Sequence, residues 1–117
     1  MAETTQLELV TPASIMAQQT VEMVVAPGVE GLFGVLPRHA PLLADLTRGV
    51  VDVYQNGKIS DRYMIDGGLA DVSGERVTIL AERAIHLGSA DPAQLKTKAA
   101  HAGEDEAAFL NAVIAAL

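Results

Sequence analysis

The chain has 117 residues, half of them apolar and only 3% aromatic, so it suits one core built from Val, Ile, Leu, Met and Ala. It has no cysteine, which excludes disulfide staples, thiolate metal sites and a cysteine nucleophile. A net charge of −7 with eight scattered Lys and Arg argues against a phosphate-binding surface, and hence against nucleic acid. No apolar run approaches the roughly 20 residues of a membrane span. The N-terminal Met-Ala-Glu-Thr-Thr-Gln lacks the basic and apolar regions of a signal peptide, so a soluble protein without direct membrane insertion is expected.

In chain order, Leu7 and Leu9 alternate with Gln6 and Glu8, the period of a strand. Val21 to Ala26 reads as a further strand ended by Pro27-Gly28. Val50 to Tyr54 and Ile59 to Ile65 flank Gln55-Asn56-Gly57-Lys58, and Asn-Gly between β-prone runs signals a tight hairpin. Gly67-Gly68 precedes a strand over Leu69 to Val72; Ser73-Gly74-Glu75 then turns into a strand over Val77 to Ala81. Short strands at this spacing predict an antiparallel sandwich or barrel. After Gly88 the pattern becomes helical. Asp91 as N-cap, Pro92 at the first helical position and Gln94 completing a capping box start one helix, with Leu95, Ala99 and Ala102 on one face. Glu104-Asp105-Glu106 opens a second, whose apolar stripe is Leu110, Val113, Ile114 and Leu117. Helices this short need a surface to lean on.

Catalytic constellations are missing. No phosphate loop, zinc-protease pair or nucleophile elbow occurs, and His39, His86 and His101 lack metal-ligand spacing. Asp61, Asp66, Asp71 and Glu75 are spaced as strand-end and turn residues. The expectation is a protein without a catalytic site, a metal or a cofactor.

The segment Pro27 to Leu43 is unusual. Three Gly and three Pro constrain its backbone, yet it carries Leu32, Phe33, Val35, Leu36, Leu42 and Leu43. Val35, Leu36, Leu42 and Leu43 are assigned to the core. The contact role falls to the tip, Glu30, Gly31, Leu32 and Phe33, with Arg38 and His39 beside it.

Pro27-Gly28-x-x-Gly31-x-x-Gly34-Val35-Leu36-Pro37-x-His39-Ala40-Pro41-Leu42-Leu43, then Leu46-x-x-Gly49, closely resembles the epsilon subunit of F-type ATP synthases, called delta in mitochondria. Gly67-Gly68-Leu69-Ala70-Asp71-Val72 and Val77-Thr78-Ile79-Leu80-Ala81-Glu82 resemble that family's next strands in the same order, so the likeness covers about residues 6 to 88.

The resemblance implies a ten-stranded β-sandwich over residues 1–88 and a short αα-hairpin over 89–117. It implies a non-catalytic rotor subunit of the central stalk that binds the gamma subunit and the c-ring. Such a protein would sit peripherally on the cytoplasmic face of a bacterial inner membrane, with the tail able to reach the alpha/beta catalytic head. The Leu32, Phe33, Arg38-His39 loop would face the ring, with Leu32 where relatives often carry a charged or hydrogen-bonding residue. Some relatives bind ATP through an Ile/Leu-Asp-x-x-Arg-Ala motif. Here the matching residues are Ala90-Asp91-Pro92-Ala93-Gln94-Leu95, so Asp91 remains but Gln94 replaces the Arg that would meet a phosphate. No useful ATP binding is expected, and inhibition of ATP hydrolysis by so short a tail is expected to be weak or absent. The alternative reading of the residues is a stand-alone β-barrel carrier or ligand-binding domain with the apolar segment as a pocket lip.

Overall fold

The computed structural model describes residues 3–117; Met1 and Ala2, with which the expected 1–88 unit and the N-terminal stretch begin, lie outside the described residues. Ten strands come first: β1 (Thr5–Val10), β2 (Ile15–Val21), β3 (Met23–Gly28), β4 (Gly31–Val35), β5 (Leu42–Leu46), β6 (Gly49–Gln55), β7 (Lys58–Ile65), β8 (Gly68–Ser73), β9 (Arg76–Ala81) and β10 (Ala84–His86). A 3₁₀ turn (Leu87–Ser89) leads to α1 (Pro92–His101) and α2 (Glu104–Ala116). The β-rich body followed by a helical hairpin is as expected.

The strands run in the order β10-β7-β6-β3-β5-β8-β9-β1-β2, with β4 paired to β3. β3 is where the ribbon folds over. Its first half, Met23 to Val25, pairs with β6, while Gly28 pairs with Leu46 of β5. The pairings are antiparallel except for β1 with β9, which run parallel from Gln6–Arg76 to Val10–Leu80. That exception was not foreseen, because a parallel pair between distant strands leaves no local signal.

The expected strand Val21 to Ala26 is divided at Glu22. There the backbone N–H donates to the Tyr54 carbonyl (2.9 Å) and the carboxylate accepts from Gly57 N–H (3.0 Å). The chain thereby passes from β1's ladder to β6's. β2 itself carries Gln18, Gln19 and Thr20, too polar a run for the alternation that marked its neighbours. The Asn56-Gly57 hairpin forms as expected, with both residues at positive φ (56° and 74°).

One core fills the sandwich. Val51, Val53, Tyr63 and Ile65 of β6 and β7 meet Leu7, Leu9, Val72, Val77 and Ile79 of the other half. Alternation then sends Val50 and Met64 to the outer side, where with Ile85 and Leu87 they form a second apolar cluster. The hairpin covers that cluster with Leu95, Phe109, Leu110 and Val113. Each such side chain contributes about 1.5–3 kcal/mol on burial. Helices of 10 and 13 residues form only because this outer face receives them.

Details of the tail depart from the sequence reading. Asp91 does cap α1, with Pro92 at its first position, but its carboxylate accepts from Ala93 N–H (3.0 Å), one residue short of the capping-box partner Gln94. The buried stripe of α2 is centred on Phe109, Leu110 and Val113, while Leu117 is exposed. Phe109, missing from the expected stripe, is the largest fully buried side chain.

Three turns are pinned at one carboxylate. Asp66, between β7 and β8, accepts from Arg48 Nε (2.8 Å) and Arg83 Nη1 (2.6 Å), one oxygen each. Its N–H donates to the Arg83 carbonyl at 3.0 Å. These bonds tie the β5–β6 and β9–β10 connections to the β7–β8 turn.

Candidate interaction surface

The expected contact residues lie on a hairpin. β3 and β4 pair from Val24–Val35 to Gly28–Gly31, so Leu32 and Phe33 belong to a strand and not to a loop. Only Val29 and Glu30 form the tip. It is tethered by Val29 N–H to the Asp45 carbonyl (3.0 Å), and Thr47 N–H donates to the Pro27 carbonyl (2.9 Å). Strand alternation separates the two apolar residues. Phe33 packs on the core, whereas Leu32 is 73% exposed.

Leu36 and Leu43, assigned to the core from sequence, are instead 58% and 68% exposed. The reason is register. Val35 and Leu46 take the inward positions of β4 and β5, which leaves Leu43 on the outer side opposite Asp71. Val35 is buried as expected, and Leu42 is partly buried against the core. Leu43 with Leu32 and Val29 then lines a groove between Gly28–Phe33 and Leu42–Asp45, with Glu30 and Asp45 exposed at its rim.

Arg38 and His39 do not line this groove, although Leu42, which does, follows His39 by only three residues. They follow the far end of β4, and its five residues at about 3.3 Å each put them roughly 17 Å from the tip. There Leu36 to His39 form a turn closed by His39 N–H to the Leu36 carbonyl (3.1 Å). Arg38 has φ 63°, a left-handed conformation that costs roughly 1 kcal/mol for a residue with a Cβ. Its guanidinium pairs with Glu3 at 2.9 Å, and since both side chains are more than half exposed the pair contributes little. The His39 ring donates from Nδ1 to the Ala40 carbonyl at 2.7 Å. Of the six expected residues, Glu30, Gly31, Leu32 and Phe33 line the groove, and Arg38 and His39 stand in the turn that leads to its Leu42 end.

A second apolar surface was missed. Cross-strand register places Leu69 opposite Leu80, Leu80 opposite Val10, and Val10 opposite Ile15. These four form a row across β8, β9, β1 and β2 on the outer face, with Ile15 57% and Leu80 46% exposed. A clue was present. Ile79-Leu80 are adjacent apolar residues in one strand, and only one of them can point inward.

Asp91 is engaged as the helix cap and Gln94 is exposed. His86 bonds to Asp61 and Ser89. Among the described residues no three His, Cys, Asp or Glu side chains gather into a group that could hold a metal, and no helix is long and apolar enough to cross a membrane.

Comparison with known proteins places this geometry in a family. Residues 4–87 match the family model described as "ATP synthase, Delta/Epsilon chain, beta-sandwich domain". The ATP synthase epsilon chain of Paramagnetospirillum magneticum is 45% identical over 109 residues, covering 92% of this chain and 82% of that protein. That of Rhodospirillum rubrum is 48% identical over 89 residues, covering 76% of this chain but 66% of its own length. Among solved structures, a chain of the Euglena gracilis mitochondrial ATP synthase (OSCP/F1/c-ring, rotational state 1) superposes with a TM-score of 0.69 at 29% identity. The match covers 84% of this chain and 62% of that one. A chain of the Tetrahymena thermophila mitochondrial ATP synthase central stalk and c-ring shares the fold, with a TM-score of 0.61 at 13% identity over 74% of this chain and 69% of that one. The chain belongs to the delta/epsilon chain family of ATP synthases.

Proposed function

We propose that the chain works as a non-catalytic rotor subunit, carrying rotation of the c-ring to the catalytic head through contacts with the gamma subunit and the ring. The observation that carries this reading is a pair of apolar surfaces with exposed Leu and Ile side chains on a sandwich that has a buried core of its own. The Val29, Leu32, Leu43 groove, rimmed by Glu30 and Asp45, suits the ring. The Leu69, Leu80, Val10, Ile15 row suits gamma, since a persistent interface buries an apolar centre within a polar margin. Arg38 and His39, in the turn that leads into β5, would flank the same contact at the groove's Leu42 end. In this reading the protein is peripheral, on the cytoplasmic face of a bacterial inner membrane.

Residues 1–88 act as the docked body and 89–117 as a detachable tail. With Asp91 occupied in capping and Gln94 lacking a charge, no useful ATP binding is expected, and inhibition of hydrolysis through the alpha/beta head is weak or absent. The test is Leu32→Glu with Leu43→Glu, two exposed positions that leave the fold intact. Proton-coupled ATP synthesis in reconstituted vesicles should fall at least tenfold while the variant still folds. Unchanged synthesis would remove the ring-facing role of this groove.

A further inference from the structure

Body and tail are joined through His86 to Ala90, and a chain of polar bonds crosses this joint. His86 ends β10 opposite Tyr63 of β7, and the two rings meet at a tilt with centroids 4.9 Å apart. Nε2 of His86 lies 3.0 Å from Oδ1 of Asp61 on β7. Nδ1 lies 2.8 Å from the hydroxyl of Ser89, in the turn that leads into α1. Ser60 Oγ donates to the other Asp61 oxygen at 3.2 Å. Gly88 leaves room for the ring, because a Cβ there would stand 3.2 Å from the imidazole Cε1.

Each bond has a consistent donor. With a neutral ring, Nε2–H donates to the carboxylate and Nδ1 accepts from the serine hydroxyl. Tyr63 takes no part in charge exchange at neutral pH, since burial, and then the Asp61 charge, push its phenol above the usual 10.0. The same three groups form hydrolytic triads elsewhere, with the ring nitrogens exchanged. Here they connect two elements that must part for the tail to leave. The hydroxyl belongs to the connection, the imidazole to the sheet edge and the carboxylate to the neighbouring strand.

We infer that Asp61, His86 and Ser89 form a latch at the hinge, which sets how readily the helical tail leaves the sandwich. The inference rests on the detachable tail proposed above. Helix packing supplies most of the docking, and the latch governs its first step, because the Ser89–His86 bond is the polar tie nearest the pivot. Losing it exposes no apolar surface, so its effect falls on the opening equilibrium and not on the sandwich.

Hydrogen exchange of the full chain, read for residues 92–116 against residues 77–81, tests this. Ser89→Ala and His86→Ala should each speed tail exchange about threefold to tenfold, the range of one partly exposed hydrogen bond. Residues 77–81 should not change. The double variant should exchange no faster than His86→Ala alone, since the serine has then lost its partner already. A tail that exchanges ahead of the strands but ignores Ser89→Ala overturns the latch alone. A tail as protected as residues 77–81 in every variant overturns tail release and the latch with it.

Discussion

The two outer faces of the sandwich begin alike and end differently. On one, Val50, Met64 and Ile85 are covered by the chain's own helices. On the other, Leu69, Leu80, Val10 and Ile15 form an apolar row in which Leu80 and Ile15 are exposed and Leu69 and Val10 half-buried. Both rows arise from one cause: strands with an apolar residue at an outward position as well as at the inward ones. An intramolecular cover adjoins its site at high effective concentration, so a few side chains suffice to hold two short helices. The contrast separates apolar surface that the chain covers with its own helices from apolar surface that it leaves exposed.

The largest expected effect comes from the bare sheet, where strands press together at the backbone. Gly68 has φ +134°, and a Cβ added there would lie 2.0 Å from the Leu80 carbonyl oxygen. Gly68→Ala should cost about 3–5 kcal/mol of global stability, seen as a lower urea midpoint by circular dichroism. A loss below 1 kcal/mol would mean that β8 and β9 shift apart easily.

The covered face should respond locally. Phe109→Ala removes the tail's largest buried side chain and about 3–5 kcal/mol of packing, more than docking can lose. Exchange of residues 92–116 should then approach that of an unfolded segment, while β1 and β9 keep their protection. Equal acceleration throughout would break the comparison, showing tail and body to be one cooperative unit. The smallest effect on the isolated chain belongs to the bare row. Leu80→Lys should change stability by less than about 0.5 kcal/mol, as surface substitutions do. It should nonetheless weaken binding to gamma at least tenfold by isothermal titration, and unaltered affinity would assign that row no partner.

Much of the fold was legible because its signals are local. The Asn56-Gly57 hairpin, the alternation in β1, the turn residues that bound β8 and β9, and the Asp91-Pro92 helix start each depend on neighbours in sequence. The division at Glu22 was not legible, since it depends on Tyr54 and Gly57, more than thirty residues away. Of the interaction surface, Leu32 was correctly singled out as exposed. Leu36 and Leu43 were misplaced because hydrophobicity alone does not tell the two faces of a strand apart. Phe109 was overlooked because the stripe of α2 was counted from Leu110, although Phe109 shares a face with Val113 four residues on.

The sequence by itself determined the class of molecule: a cysteine-free acidic chain of short strands with a helical tail, and glycine and proline spacing that resembles one family. These follow from composition, local turn chemistry and periodicity. Tertiary structure alone decided that Glu30 to Phe33 line a groove with Leu42 to Asp45, while Arg38-His39 stand in the turn beyond β4. It alone brought Leu69, Leu80, Val10 and Ile15 into one row, and Asp61, His86 and Ser89 into one chain of bonds. The physical reason is that register and strand order are properties of pairing. Pairing is set by which faces can share a core, and that choice is made by the whole chain at once.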